Sequence, residues 1–115
     1  MSLQASRLHG VALIGAAALV LAACGSAPSS SRTLRSAADA LNARQWTESA
    51  TLFQQAQAEA GTDEDRARAQ YGLAEVALQQ GRSDEALAGF RPIAENTTIP
   101  PQLRLGSQLG VGRSL

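Results

Sequence analysis

The chain has 115 residues, with ten arginines, no lysine, ten carboxylates and one histidine, so it carries no net formal charge at pH 7. That balance gives no electrostatic case for binding nucleic acid or anionic lipid, and one cysteine excludes an internal disulfide. Alanine, leucine, glutamine, arginine and glutamate dominate, side chains that lose little rotamer freedom in a helix. The length suffices for one small domain held by packing alone.

The N-terminal segment leads with Arg7 and His9, followed by a run from Val11 to Ala23 that contains no charge. As a helix, thirteen residues at ~1.5 Å each span roughly 20 Å, short of the ~30 Å hydrocarbon core of a bilayer. The run therefore suits the h-region of a signal peptide better than a membrane span. It closes with Leu21-Ala22-Ala23-Cys24. This arrangement resembles a bacterial lipoprotein signal with its lipobox. The resemblance implies cleavage between Ala23 and Cys24, a covalent diacylglyceryl group on the Cys24 sulfur, and an N-acyl chain on its amine. Two or three chains hold a protein stably at a bilayer, at ~0.8 kcal/mol per buried CH₂. Gly25 stands where an aspartate often marks inner-membrane retention, which implies the periplasmic face of the outer membrane. Residues 24–32, rich in Gly, Ser and Pro, are predicted to form a flexible tether.

Helical periodicity is predicted from Thr33. Leu34, Ala37, Ala38 and Leu41 mark the apolar face of a first helix, which ends in a turn at Asn42-Ala43-Arg44-Gln45. A second helix is expected from Trp46 to Ala60, faced by Trp46, Ala50, Phe53, Ala56 and Gln57, with Gly61 as a left-handed cap. Thr62 or Asp63 caps a third helix that runs to about Gln80, with Glu64 and Asp65 in its electropositive first turn. Gly81 ends it, and Ser83 is the expected cap of a fourth helix over Asp84–Ala94, where Pro92 removes a hydrogen bond. Pro101 can open a fifth helix, which extends to Leu115. Gly106, Gly110 and Gly112 in it each cost about 1 kcal/mol relative to alanine.

These segments repeat. Phe53 and Phe90 are 37 residues apart, and Tyr71-Gly72-Leu73-Ala74 recurs as Leu109-Gly110-Val111-Gly112. A period of this size is that of a stacked helical array. The stretch Leu73 to Phe90 resembles a tetratricopeptide repeat. Leu73-Ala74 stands at that family's Leu-Gly pair and Ala77 at its tyrosine, while Gly81 falls at the turn, Ala86 at the close helix crossing and Phe90 at the filling aromatic. The first unit departs from the pattern, with Ser49 at the close crossing and Arg44 at the turn glycine. The expected fold is all-α: antiparallel helix–turn–helix repeats over residues 33–115, two hairpins plus a lone final helix, after a signal peptide (1–23) and a tether (24–32). A lone final helix leaves an apolar stripe uncovered, which favours a piece of a longer protein over an end covered by a partner.

Candidates for chemistry are few. His9 lies in the segment to be removed, the one thiol is assigned to lipid, and a phosphate loop of the Gly-x-x-x-x-Gly-Lys type is impossible without lysine. Asp63-Glu64-Asp65 lacks calcium-loop spacing and reads as a helix start rather than a metal site. The chain is therefore expected to be no enzyme, with no metal and no cofactor beyond the lipid on Cys24. The tetratricopeptide resemblance implies a concave groove lined by first helices, assigned to Arg68, Tyr71, Glu75, Leu78 and Gln79 with Leu34, Ala38, Leu41 and Asn42. It would receive an envelope protein or peptide. Together the lipobox, the tether and the degenerate repeats resemble small lipoproteins that assemble envelope machines, such as those of tight-adherence (Flp) pilus assembly. The competing readings are a docking arm or N-terminal fragment of a larger envelope enzyme, a β-barrel assembly lipoprotein, and a cytosolic repeat protein without lipid.

Overall fold

A computed structural model describes residues 29–115. The signal run, Ala23, Cys24 and the start of the tether lie outside the described residues. Five helices, with no strand among the described residues, follow one another: α1 (Ser29–Asn42), α2 (Trp46–Glu59), α3 (Asp63–Gln79), α4 (Ser83–Ala94) and α5 (Pro101–Ser114). No helix among them is long and apolar enough to cross a membrane.

Helices adjacent in sequence pack together, giving hairpins α1–α2 and α3–α4 with α5 stacked on the second. The two hairpins match residue for residue. Ala37 and Ala74, Ala40 and Ala77, Ser49 and Ala86, Phe53 and Phe90, and Ala56 and Ile93 are pairs 37 residues apart, and all ten residues are buried. The turns match as well. Arg44 N–H bonds to Leu41 C=O and Gln45 N–H to Ala40 C=O, while Gly81 N–H bonds to Leu78 C=O and Arg82 N–H to Ala77 C=O. Each is a Schellman closure, which requires a left-handed residue just past the helix. Gly81 supplies it at φ 78° and Arg44 at φ 60°. The left-handed region penalises a Cβ, so the first turn carries a strain that the second lacks.

The first helices, α1, α3 and α5, touch in succession, whereas α2 and α4 make no contact with each other. The layer of first helices is therefore the tighter, inner one. Each second helix seats its phenylalanine against a glycine of the next first helix. A Cβ at Gly72 would overlap the Phe53 ring, and one at Gly110 would lie 2.7 Å from the Phe90 ring. A carbon–carbon contact needs about 3.5–4.0 Å, so these glycines set how closely the hairpins stack. Within α3–α4, Ala74 lies against Gly89, where an added Cβ would come within 2.9 Å of the Ala74 methyl. Tyr71 meets Phe90 edge-on at 5.4 Å between ring centroids. Ala67, Ile93 and Ile99 close the far end of this core.

Four sequence expectations are corrected. First, α1 begins at Ser29 rather than Thr33, because Ser30 and Thr33 are buried and bonded. The Ser30 hydroxyl donates to Asp65 (3.2 Å) and the Thr33 hydroxyl donates to Glu59 (2.7 Å). Second, the buried stripe of α1 is Ser30-Thr33-Ala37-Ala40, so Ala40 takes the place expected for Ala38, which is exposed. The stripe follows the close approach of α2, where the buried Ser49 hydroxyl donates to Ala37 C=O at 2.9 Å. Third, Gly61 is not left-handed. Ala60 leaves α2 in an extended conformation, and the chain runs on to Thr62 without reversing. Fourth, Ser83 is the first helical residue of α4, and Arg82 occupies the cap with no side-chain bond to the helix. Thr62 caps α3 as expected, accepting from Asp65 N–H at 3.1 Å.

Candidate functional site: the inner face of the first helices

The inner layer carries clefts along the borders of α3. On the α1 side, Ser31, Leu34 and Arg35 face Thr62, Glu64, Asp65 and Arg68 across an open cleft of about 710 Å³. Nearer the C-terminal end of α1, Leu41, Asn42, Arg44 and Trp46 face Glu75 and Gln79. On the α5 side, Arg68 and Tyr71 face Pro100, Gln102, Leu103 and Gly106. Arg68 borders two of these clefts, so they form one discontinuous track across α1, α3 and α5.

Of the residues assigned to a groove from the sequence, Leu34, Leu41, Asn42, Arg68, Tyr71, Glu75 and Gln79 line the track. Leu78 is half-buried and packs against the Ala74–Ala77–Ala86–Phe90 cluster instead, which takes it into the core of the second hairpin. Ala38 is exposed on α1. Sequence reasoning missed Ser31, Arg35, Trp46 and the α5 wall of Gln102, Leu103 and Gly106. The missed signal was the 38-residue offset, which places Gly106 of α5 level with Arg68 of α3.

The charges are locally paired. Glu64 bonds to Arg68 one turn on, and Asp63 bonds to Arg66 at 2.7 Å. Asp65 accepts from Ser30, so all three members of the acidic run have a partner. A single ion pair bridges elements: Arg113 of α5 donates to Glu75 of α3 at 3.0 Å, with the Glu75 side chain only 12% exposed. Tyr71 stands beside it. Burial, reinforced by the neighbouring Glu75 carboxylate, raises the Tyr71 phenol above its ordinary pKa, against a smaller opposing effect of Arg113. The phenol is therefore protonated and neutral at physiological pH. The track combines a neutral hydroxyl, amides, two arginines and leucine edges. Such a surface binds by contact and hydrogen bonding, not by bond making.

No protein-family model, no curated protein and no solved structure matches the chain.

Proposed function

We propose that the protein is a membrane-anchored scaffold of the tetratricopeptide type, lipidated on Cys24, whose inner face receives a peptide or helix of an envelope protein. The observation that carries this reading is the track across α1, α3 and α5, built from the faces of consecutive first helices and left open while their other faces pack. A repeated hairpin presents the same kind of surface at each step, which suits an extended ligand. The lipobox and the apolar run before it support anchorage at the outer membrane, with the domain facing the periplasm and a pilus or secretion assembly as the setting. The protein binds and does no catalysis, and it needs no cofactor apart from its lipid.

Two experiments test this. Intact mass and membrane fractionation of the wild type beside Cys24→Ser address the anchor. The wild type is expected to lose residues 1–23, gain lipid mass and sediment with outer membrane, whereas the variant does not. An unmodified chain in the cytosol refutes the anchor. For the face, a photo-crosslinker at Tyr71 in cells is expected to trap an envelope protein, with trapping lost on Arg68→Glu and Asn42→Arg together. Trapping indifferent to those changes refutes the groove.

A further inference from the structure

Helix α3 has two buried faces. One, Ala67, Ala74 and Ala77, meets its own hairpin partner α4; the other, Ala69, Gly72 and Val76, meets the hairpin before it. The outer helices each bury only one of these. In α1, 37 residues earlier, Ser30, Ala37 and Ala40 reproduce the partner face and are buried by α2, while Arg32, Arg35 and Asp39 stand where the stacking face would be and are exposed. In α5, 38 residues later, Ser107, Gly110 and Ser114 reproduce the stacking face and are buried. The partner face of α5 falls on Leu105, Gly112 and Leu115, flanked by Leu109, which lies level with Tyr71. All are exposed, the leucines at 58% (Leu105), 86% (Leu115) and 63% (Leu109). A Cβ added at Gly112 meets nothing.

The two ends of the array therefore differ in kind. The open face of α1 is charged and needs no cover. The open face of α5 is leucine with a glycine gap, an apolar surface of the sort that marks a contact site. The interior repeats show what covers such a face. On α3 it is an antiparallel helix with Ala86 at the close crossing, Gly89 against Ala74, Phe90, and Ile93 one turn on. On α1 it is a helix with Ser49, Phe53 and Ala56. Both open with acid, Glu48 in α2 and Asp84 with Glu85 in α4. Antiparallel packing would bring that acidic end to the Arg113 end of α5, a helix that contains arginines and no carboxylate.

We propose that the Leu105–Leu109–Gly112–Leu115 face binds an amphipathic helix of a partner polypeptide in the antiparallel sense. That helix carries an acidic first turn, a small residue at the crossing, and an aromatic four residues on from it. A second copy docked through α5 is disfavoured, because it would set Arg104 and Arg113 of one helix against the same arginines of the other. The chain's own apolar run ends at Ala23. Residues 24–28 span at most ~18 Å, whereas the far side of α5 lies two helix spacings beyond α1, roughly 30 Å away at 8–10 Å per helix pair. The proposal stands apart from the inner-face reading, since it uses the opposite edge of α5.

The test uses the full chain and, as probe, a fluorescently labelled peptide with the sequence of Gly81–Asn96. Saturable binding is expected, with slowed amide exchange confined to α5. The Leu109→Glu protein, or Leu105→Glu as a second variant on the same exposed face, is expected to bind at least about tenfold more weakly with unchanged helicity. A peptide carrying Phe90→Ala should lose as much. Absence of saturable binding overturns the proposal, as does binding indifferent to both Leu→Glu changes or faster exchange in α4, which would mean strand-for-strand displacement of that helix. Sedimentation showing a dimer that Leu109→Glu dissolves overturns it in favour of a second copy. Because Tyr71 crosslinking reports only the inner face, failure here leaves that reading standing.

Discussion

Replacing glycine by alanine at two positions of α5 two residues apart is predicted to have opposite effects. Inside a helix the exchange gains up to about 1 kcal/mol by restricting the unfolded chain. Gly112 has open space where the methyl would go, so Gly112→Ala is expected to stabilise by a few tenths to about 1 kcal/mol, reduced by its place in the last turn. At Gly110 the new methyl would lie 2.7 Å from one atom of the Phe90 ring and 2.8 Å from two others, about 1 Å inside contact distance. Phe90 is fully buried and wedged between α3 and α5, with Tyr71 on its edge, so the ring cannot swing away. Overpacking of this kind costs about 1–3 kcal/mol. Set against the propensity gain, Gly110→Ala should be destabilising by about 0–2 kcal/mol, a difference between the two variants of about 1–3 kcal/mol. In a domain this small, 1 kcal/mol moves Tm by about 4–8 °C. Urea melts followed at 222 nm measure both variants. Phe90→Leu in the Gly110→Ala background should recover part of the loss relative to Phe90→Leu alone. Equal stabilisation by the two alanines refutes the seating of Phe90 on Gly110 and with it the stacking of α5 described above.

Arg44→Gly should stabilise by about 1 kcal/mol, because the left-handed turn at φ 60° no longer carries a Cβ, and Gly81→Ala should destabilise by a similar amount at the matching turn; chemical denaturation of both checks the equivalence. Thr62→Ala removes the only side-chain cap on α3 and should cost about 1 kcal/mol, with Thr62→Asp retaining most of it. The raised Tyr71 pKa makes a signed prediction. The folded state favours the neutral phenol, so its contribution is complete below the unfolded value near 10 and is lost as pH climbs through the higher folded value. Stability of the wild type should therefore fall between about pH 10 and 12 by more than that of Tyr71→Phe; parallel curves refute the burial of the phenol.

The helical class and the hairpin pairing were legible because Phe53, Phe90, Ala86 and Gly81 repeat at one period, and large or special residues dominate a pattern. The details that escaped rest on residues with little pattern of their own. Ala38 and Ala40 are chemically identical, and only the approach of α2 with its Ser49 hydroxyl decides which is covered. Gly61 and Gly81 look alike in sequence, yet a left-handed cap is needed only where the chain must reverse into an adjacent helix within two residues, as at Gly81. Arg44 takes that conformation because its hairpin imposes it, against its own preference. Gly110 read as a helix defect, since its role depends on a phenylalanine twenty residues away. Of the inner face, the α1 and α3 residues could be placed by helical register, whereas the α5 wall required knowing that a third first helix stacks in the same orientation.

Contacts in this fold run almost wholly between helices that are neighbours in sequence or one apart, and none links α1 to α4 or α5. Each loop to be closed is short, so little chain entropy is spent before native contacts form, and folding should be fast. Stability is then close to a sum over adjacent pairs, as in a one-dimensional chain of coupled units. Such a chain need not melt as one. The second hairpin, held on both sides by α2 and α5, should open last under native-state hydrogen exchange, and α1 should fray first.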